Sequence, residues 1–142
     1  MRDVVHSNLL VTALQSPRLA QAFKKLRLTD GHFQMLGERV KQGIGKSEEV
    51  RMFWVEGPKG GVRAILIAWS RNTRSSISIG VYVDSKSRRK GLGRLLVVTA
   101  REHYKRPFKV TAWSPLSSVF WDSVAPSLES ENGYPVEISV TY

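Results

Sequence analysis

The chain reads as an α+β domain: a mixed, mostly antiparallel sheet with helices on both faces. Three observations predict this. Residues 50–70 read as a hairpin, VRMFWVEG and VRAILIAWS around the turn GPKGG. Residues 76–83 alternate cleanly, with Ile77, Ile79, Val81 and Val83 between Ser76, Ser78, Gly80 and Tyr82. Segments 92–104 and 116–124 then switch to helical period, with the strand-like FKVTAW (108–113) between them.

The elements follow in order. NLLVTAL (8–14) suits either a strand or a helix start. Ser16-Pro17 is a helix entry, a capping serine followed by proline at the first helical position, and LAQAFKKLRL places Leu19, Ala20, Ala22, Phe23 and Leu26 on one apolar face. A second helix is expected from Thr29-Asp30 through Phe33, Leu36 and Val40 to a stop at Gly43. After the hairpin and the alternating strand, Asp84 ends the strand and begins a turn. In the helix that follows, Leu92, Leu95, Leu96 and Thr99 share a face, and His103 falls on the core side. LSSVFWDSV (116–124) is expected as a short helix with Leu116, Val119, Phe120 and Val124 inward. PVEISVTY closes the sequence as a strand.

At 142 residues with 42% apolar content, one domain is expected over 1–142. It divides into a helical region (1–47), a meander (50–83), a strand–helix–strand unit (84–113) and a terminal helix and strand (114–142). No apolar run approaches the roughly 20 residues of a membrane span, and MRDVVHSN makes a poor signal peptide, so a cytoplasmic protein without a membrane partner is expected. With no cysteine, disulfides and thiolate metal sites are excluded. His6, His32 and His103 share no metal-ligand spacing, and no metal is expected.

Charge is distributed unevenly. The net of +10 arises from +6 in residues 1–85, +8 in 86–109 and −4 from 110 onward, where Lys and Arg are absent. Such a field attracts polyanions: nucleic acid, a polyphosphate cofactor or an acidic partner. Tyr104, Phe108 and Trp113 interleave with the basic band and could stack bases, although their periodicity places them in the core.

Two glycine motifs fail at identifiable residues. GIGKS (43–47) ends like a P-loop, but Val40 stands where the first glycine belongs and a helical pattern precedes it. GLGRLL (91–96) opens like a dinucleotide fingerprint, but its third glycine would be Leu96. What remains is R-x-x-G-x-G at Arg88, Gly91 and Gly93, set between a strand and a helix. A helix N-terminus offers unpaired N–H groups and a partial positive charge, and glycines let backbone approach an anion closely. Arg88, Arg89, Lys90 and Arg94 add cationic arms.

In that setting VYVDSKSRRKGLGRLLV resembles the acetyl-CoA-binding motif of the GNAT superfamily of N-acetyltransferases, [QR]-x-x-G-x-[GA] between the central strand and the next helix. The resemblance implies a GNAT-like fold with a splayed central strand and acetyl-CoA as cofactor. It implies that backbone N–H groups from Arg89 through Lys90, Gly91, Leu92, Gly93 and Arg94 hold the pyrophosphate. Val81 and Val83 would offer backbone groups to the pantetheine arm. The family's pattern resembling N-x-x-A-x-x-[FL]-Y falls on Ser114, Ser117, Phe120 and Trp121, so tryptophan occupies the position of the acidic tyrosine, and Ala125-Pro126 stands at the usual Gly-Phe. Trp121 is expected off the core face, where it lines a pocket or meets solvent or a partner.

With tryptophan at the tyrosine position, Ser78 or Tyr82 is a candidate to orient a water, and Ser114 to polarise the thioester or donate a proton. The implied activity is transfer of an acetyl group to an amine, with nucleic acid or a nucleic-acid-bound protein as a candidate carrier of the acceptor and a homodimer as a candidate assembly. The competing reading is a non-catalytic nucleic-acid- or protein-binding module on the same scaffold.

Overall fold

The computed structural model describes residues 3–29, 49–70, 76–88, 90–112 and 114–140. The helix expected over 30–43, the GIGKS segment, Arg89 and Trp113 lie outside the described residues. The elements are β1 (Val5–Leu9), α1 (Leu10–Ala13), α2 (Pro17–Thr29), β2 (Glu49–Glu56), β3 (Val62–Ser70), β4 (Ile77–Val83), a 3₁₀ turn (Ser85–Ser87), α3 (Leu92–His103), β5 (Phe108–Ala112), α4 (Pro115–Asn132) and β6 (Val136–Val140). The expected α+β architecture is present, as one six-stranded sheet in the order β1-β2-β3-β4-β5-β6. The pairs β1–β2, β2–β3 and β3–β4 are antiparallel, while β4–β5 and β5–β6 are parallel. Each parallel pair is joined by one crossover helix, the connection that parallel strands require.

Helices cover both faces. On one, α3 and α4 bury Leu92, Leu96, Val97, Ala100, Trp121, Val124, Ala125 and Leu128 against Phe53, Val55, Leu66, Ile77, Ile79, Phe108 and Val110. On the other, α1 and α2 bring Leu10, Ala13, Leu19 and Phe23 onto Met52, Trp54, Ile65 and Ile67. The alternation in β3 and β4 feeds both cores, since successive strand side chains point to opposite faces. NLLVTAL turns out to be both of its alternatives, the end of β1 followed by a single helical turn.

The largest departure is α4. The expected helix over 116–124 runs on to Asn132 and ends at Gly133, whose φ of 77° supplies a left-handed cap bonded back to Glu129. Pro126 sits inside it on the exposed side, where water can reach the Asp122 carbonyl that the proline cannot bond. Ala125-Pro126 is therefore helix interior, and Gly133-Tyr134 is the pair that follows the helix. The expected face is also rotated: Leu116 and Val119 are each 66% exposed, while Trp121 is 3% exposed and belongs to the core.

The extra turns explain the rotation. A helix that continues to Leu128 packs along the row Trp121, Val124, Ala125 and Leu128. In α3 the buried row is Leu92, Leu96, Val97 and Ala100, with Leu95 and Thr99 half-buried at its border. His103, expected on the core side, is exposed, its ring edge-on to Tyr104 and Phe53.

Candidate functional site

The site begins with a ladder that stops. β4 pairs with β3 from Ser78 to Val83, but with β5 only at Ile77–Phe108, Ser78–Lys109 and Ile79–Val110. Above Ile79 the two parallel strands diverge, which is the expected splay of the central strand. Hydrogen-bond parity decides which groups face the gap. Asp84 N–H donates to Arg63 O at 2.8 Å, so even-numbered positions of β4 bond β3. Ile77 N–H donates to Pro107 O at 2.9 Å, so odd-numbered positions face β5. Val81 and Val83 therefore turn their backbone groups into the fork. One of those groups has a partner: Val83 O accepts from Arg88 Nε at 3.1 Å.

The glycine turn lies at the head of the same fork. Asp84 precedes the 3₁₀ turn, and its carbonyl accepts the Ser87 N–H at 2.8 Å. Gly91 caps α3 with φ 76°, a left-handed conformation that costs an L side chain about 1–2 kcal/mol. Gly91 O takes the Leu95 N–H at 3.0 Å. The N–H groups of Leu92, Gly93 and Arg94 have no acceptor among the described residues, as at the start of any uncapped helix. Among the described residues nothing lies within 4 Å of the position a Gly91 Cβ would take, so none of them fills the space beside the turn.

Gly93 has a different purpose. A Cβ there would stand 2.9 Å from Phe120 Cε1 and 3.6 Å from Val83 Cγ2. The glycine lets the first turn of α3 close onto Phe120 of α4 and Val83 of β4, and these three residues form one wall. Trp121 stacks edge-on behind Phe120 with ring centroids 5.0 Å apart. Because Trp121 is core, Phe120 is the half-buried aromatic at the wall.

The other expected residues scatter. Ser114 is the N-cap of α4, its Oγ accepting the Ser117 N–H at 3.2 Å, which leaves the hydroxyl proton free to donate elsewhere. Ser78 lies in the zipped part of the β4–β5 pair, level with Lys109, rather than at the fork. Tyr82 is at fork height but on the α1/α2 face, packed against the second core. Arg88, Lys90 and Arg94 are exposed around the turn, and Arg94 also reaches Ser127 Oγ at 3.2 Å.

The Glu129 carboxylate accepts the Val136 N–H at 2.8 Å near the start of β6. β5 and β6 are parallel, so this is the end of the sheet away from the fork.

No family model matches the chain, and no curated protein matches it. Among solved structures, it is similar to a GNAT superfamily phosphinothricin acetyltransferase (Pat) from Sinorhizobium meliloti, in complex with AcCoA. The identity is 14% and the TM-score 0.46. The match covers 72% of this chain and 60% of that one, so this chain spans less than two thirds of that protein's length.

The basic band does not form a stacking platform at Tyr104 and Phe108, which are buried at 9% and 0% exposure. Nor are all its cations available. Arg101 is 1% exposed, its guanidinium 4.1 Å from the centroid of the Phe108 ring, with a bond to Arg106 O and with Nε and Nη2 unpartnered among the described residues. Burial lowers its pKa from the ordinary value, against an upward pull from Glu129 and Tyr134.

Among the described residues, no group of three or more His, Asp or Glu could hold a metal ion. None of their helices is long and apolar enough to cross a membrane. The residue that sequence reasoning missed at this site is Arg63, which contacts the turn from β3; its position depends on strand register, which no local pattern reveals.

Proposed function

We propose that the chain is an acetyl-CoA-dependent N-acetyltransferase. One observation carries the reading: the β4–β5 ladder ends at Ile79–Val110, and a glycine-opened helix start flanked by exposed cations packs against Val83 at the far end of β4. A strand fork accepts an extended amide chain as a substitute strand, and the helix start accepts a pyrophosphate. Pantetheine joined to a pyrophosphate combines both chemistries. The open backbone left by Arg88 suits this, as does the space beside Gly91 that no described residue fills. Bound there, acetyl-CoA supplies an activated acyl thioester.

The chain's own part is then positioning. Leu92, Gly93 and Arg94 N–H groups with Arg88, Arg89 and Lys90 hold the anion, Val81 and Val83 align the arm, and Phe120 with Ser117 walls it. Holding the thioester and an amine in register contributes much of the barrier reduction, and a thiolate leaves without a strong acid. Ser114 Oγ, at the head of α4, is the candidate donor to the leaving sulfur, and Tyr82 the candidate to orient a water for the amine. The exposed cations suit an acceptor carried on a polyanion.

A thermal melt with acetyl-CoA tests the reading. Saturating ligand stabilises the native state through linkage, by about 2.7 kcal/mol at a hundred times the dissociation constant. Gly91→Asp, which puts a side chain and an anion beside the turn, abolishes the shift. A wild-type melt unmoved by acetyl-CoA overturns the proposal. Mass analysis of candidate amines for the gain of one acetyl group then identifies the acceptor. A nucleic-acid module would instead show binding that weakens steeply with salt.

A further inference from the structure

We infer that Arg63 is a positioning residue for the anion-binding turn, an inference that rests on the acetyl-CoA reading of that turn. The β2–β3 register slips between Val55–Ala64 and Glu56–Val62, which leaves Arg63 as the extra residue of a β-bulge. Bulges re-aim side chains, and this one directs a guanidinium from β3 toward the turn that follows β4. Arg63 makes three bonds, two of them to that turn. Arg63 O accepts the Asp84 N–H at 2.8 Å, fixing the first residue of the turn. Arg63 Nε reaches Ser87 Oγ at 3.5 Å, a long contact to a residue that is only 7% exposed. Nη1 forms a salt bridge with Asp3 at 2.8 Å, and the arginine side chain is 22% exposed.

Room for the side chain comes from Gly57, where a Cβ would stand 3.2 Å from Arg63 Cδ. Asp84 and Ser87 in turn close the 3₁₀ turn through Ser87 N–H to Asp84 O. Arg63 thus holds the entry and the middle of the segment that delivers Gly91 and the α3 N–H groups. Asp3 keeps its guanidinium in place. Arg63 acts through Asp84 and Ser87 and does not itself contact the ligand.

Calorimetric titration with acetyl-CoA and with S-acetylpantetheine, which lacks the pyrophosphate, separates this role from general loosening. Arg63→Met weakens acetyl-CoA by about fivefold, the scale of one ordinary hydrogen bond lost, and leaves S-acetylpantetheine unchanged. Ser87→Ala acts in the same direction, and the double variant binds no worse than the weaker single one. Asp3→Asn, which leaves the bulge intact, gives a smaller loss and guards against a misfolded Arg63 variant. Unchanged acetyl-CoA affinity in Arg63→Met, equal losses for both ligands, or losses that multiply in the double variant overturn the inference. A wild-type chain that fails to bind acetyl-CoA overturns the functional reading instead. Amide exchange then judges the positioning alone: Arg63→Met speeds exchange at Ser87 and Leu95, and unchanged protection there refutes it.

Discussion

The two parallel strand pairs share β5 and are each spanned by one helix, yet one opens and the other closes. β5 and β6 are paired over their full length, Phe108–Val136 to Ala112–Val140. Their start is tied by Phe108 N–H on Pro135 O and by the Glu129 carboxylate on Val136 N–H. β4 and β5 start as well, with Ile77 N–H on Pro107 O, and then part after three pairs. What differs is the far end. There the first turn of α3 closes on Val83 through Gly93, and Phe120 of α4 stands against the same glycine. Backbone groups left without a ladder partner call for a replacement. Val83 O finds one in Arg88, and under the proposed function an extended ligand completes the Val81 groups.

The contrast can be broken at three points. Trp121 belongs to the core that floors both pairs, so Trp121→Ala costs about 3–5 kcal/mol in urea unfolding. A loss below about 1 kcal/mol would return Trp121 to the surface role that sequence reasoning gave it. Gly93→Ala forces the Phe120 ring away from the fork and costs about 1–3 kcal/mol by overpacking. Adding Phe120→Ala relieves that clash, so the two changes are non-additive; additive losses would mean that the wall is not built by this contact. Glu129→Ala removes the tie at the closed pair and costs about 1 kcal/mol, with no change in acetyl-CoA affinity. A loss of affinity there would move the site toward β6.

Much of this was legible in the sequence where the pattern was local. The alternation from Ile77 to Val83 gave β4, and the glycines after it located the turn, because both features depend on neighbouring residues. β1 was half-read: as an edge strand with only Val5 half-buried, it carries no apolar alternation. The length of α4 was hidden by Pro126, which reads as a stop unless the exposure of the preceding turn is known. A helix taken to stop there turns Leu116 and Val119 inward and Trp121 out, the reverse of their burial in the longer helix. Ser114 was noticed for its hydroxyl, which the helix uses as a cap. The fork and Arg63 were the least visible. Where a ladder ends, and which residue a bulge ejects, are properties of two strands compared.

Amide hydrogen exchange with and without acetyl-CoA tests the central claim most directly. If the fork and the glycine turn form one acyl-donor site, saturating acetyl-CoA slows exchange at Val81, Val83 and Leu92 through Arg94 together, and leaves β6 unchanged. Protection confined to other segments, or none at all, would contradict it.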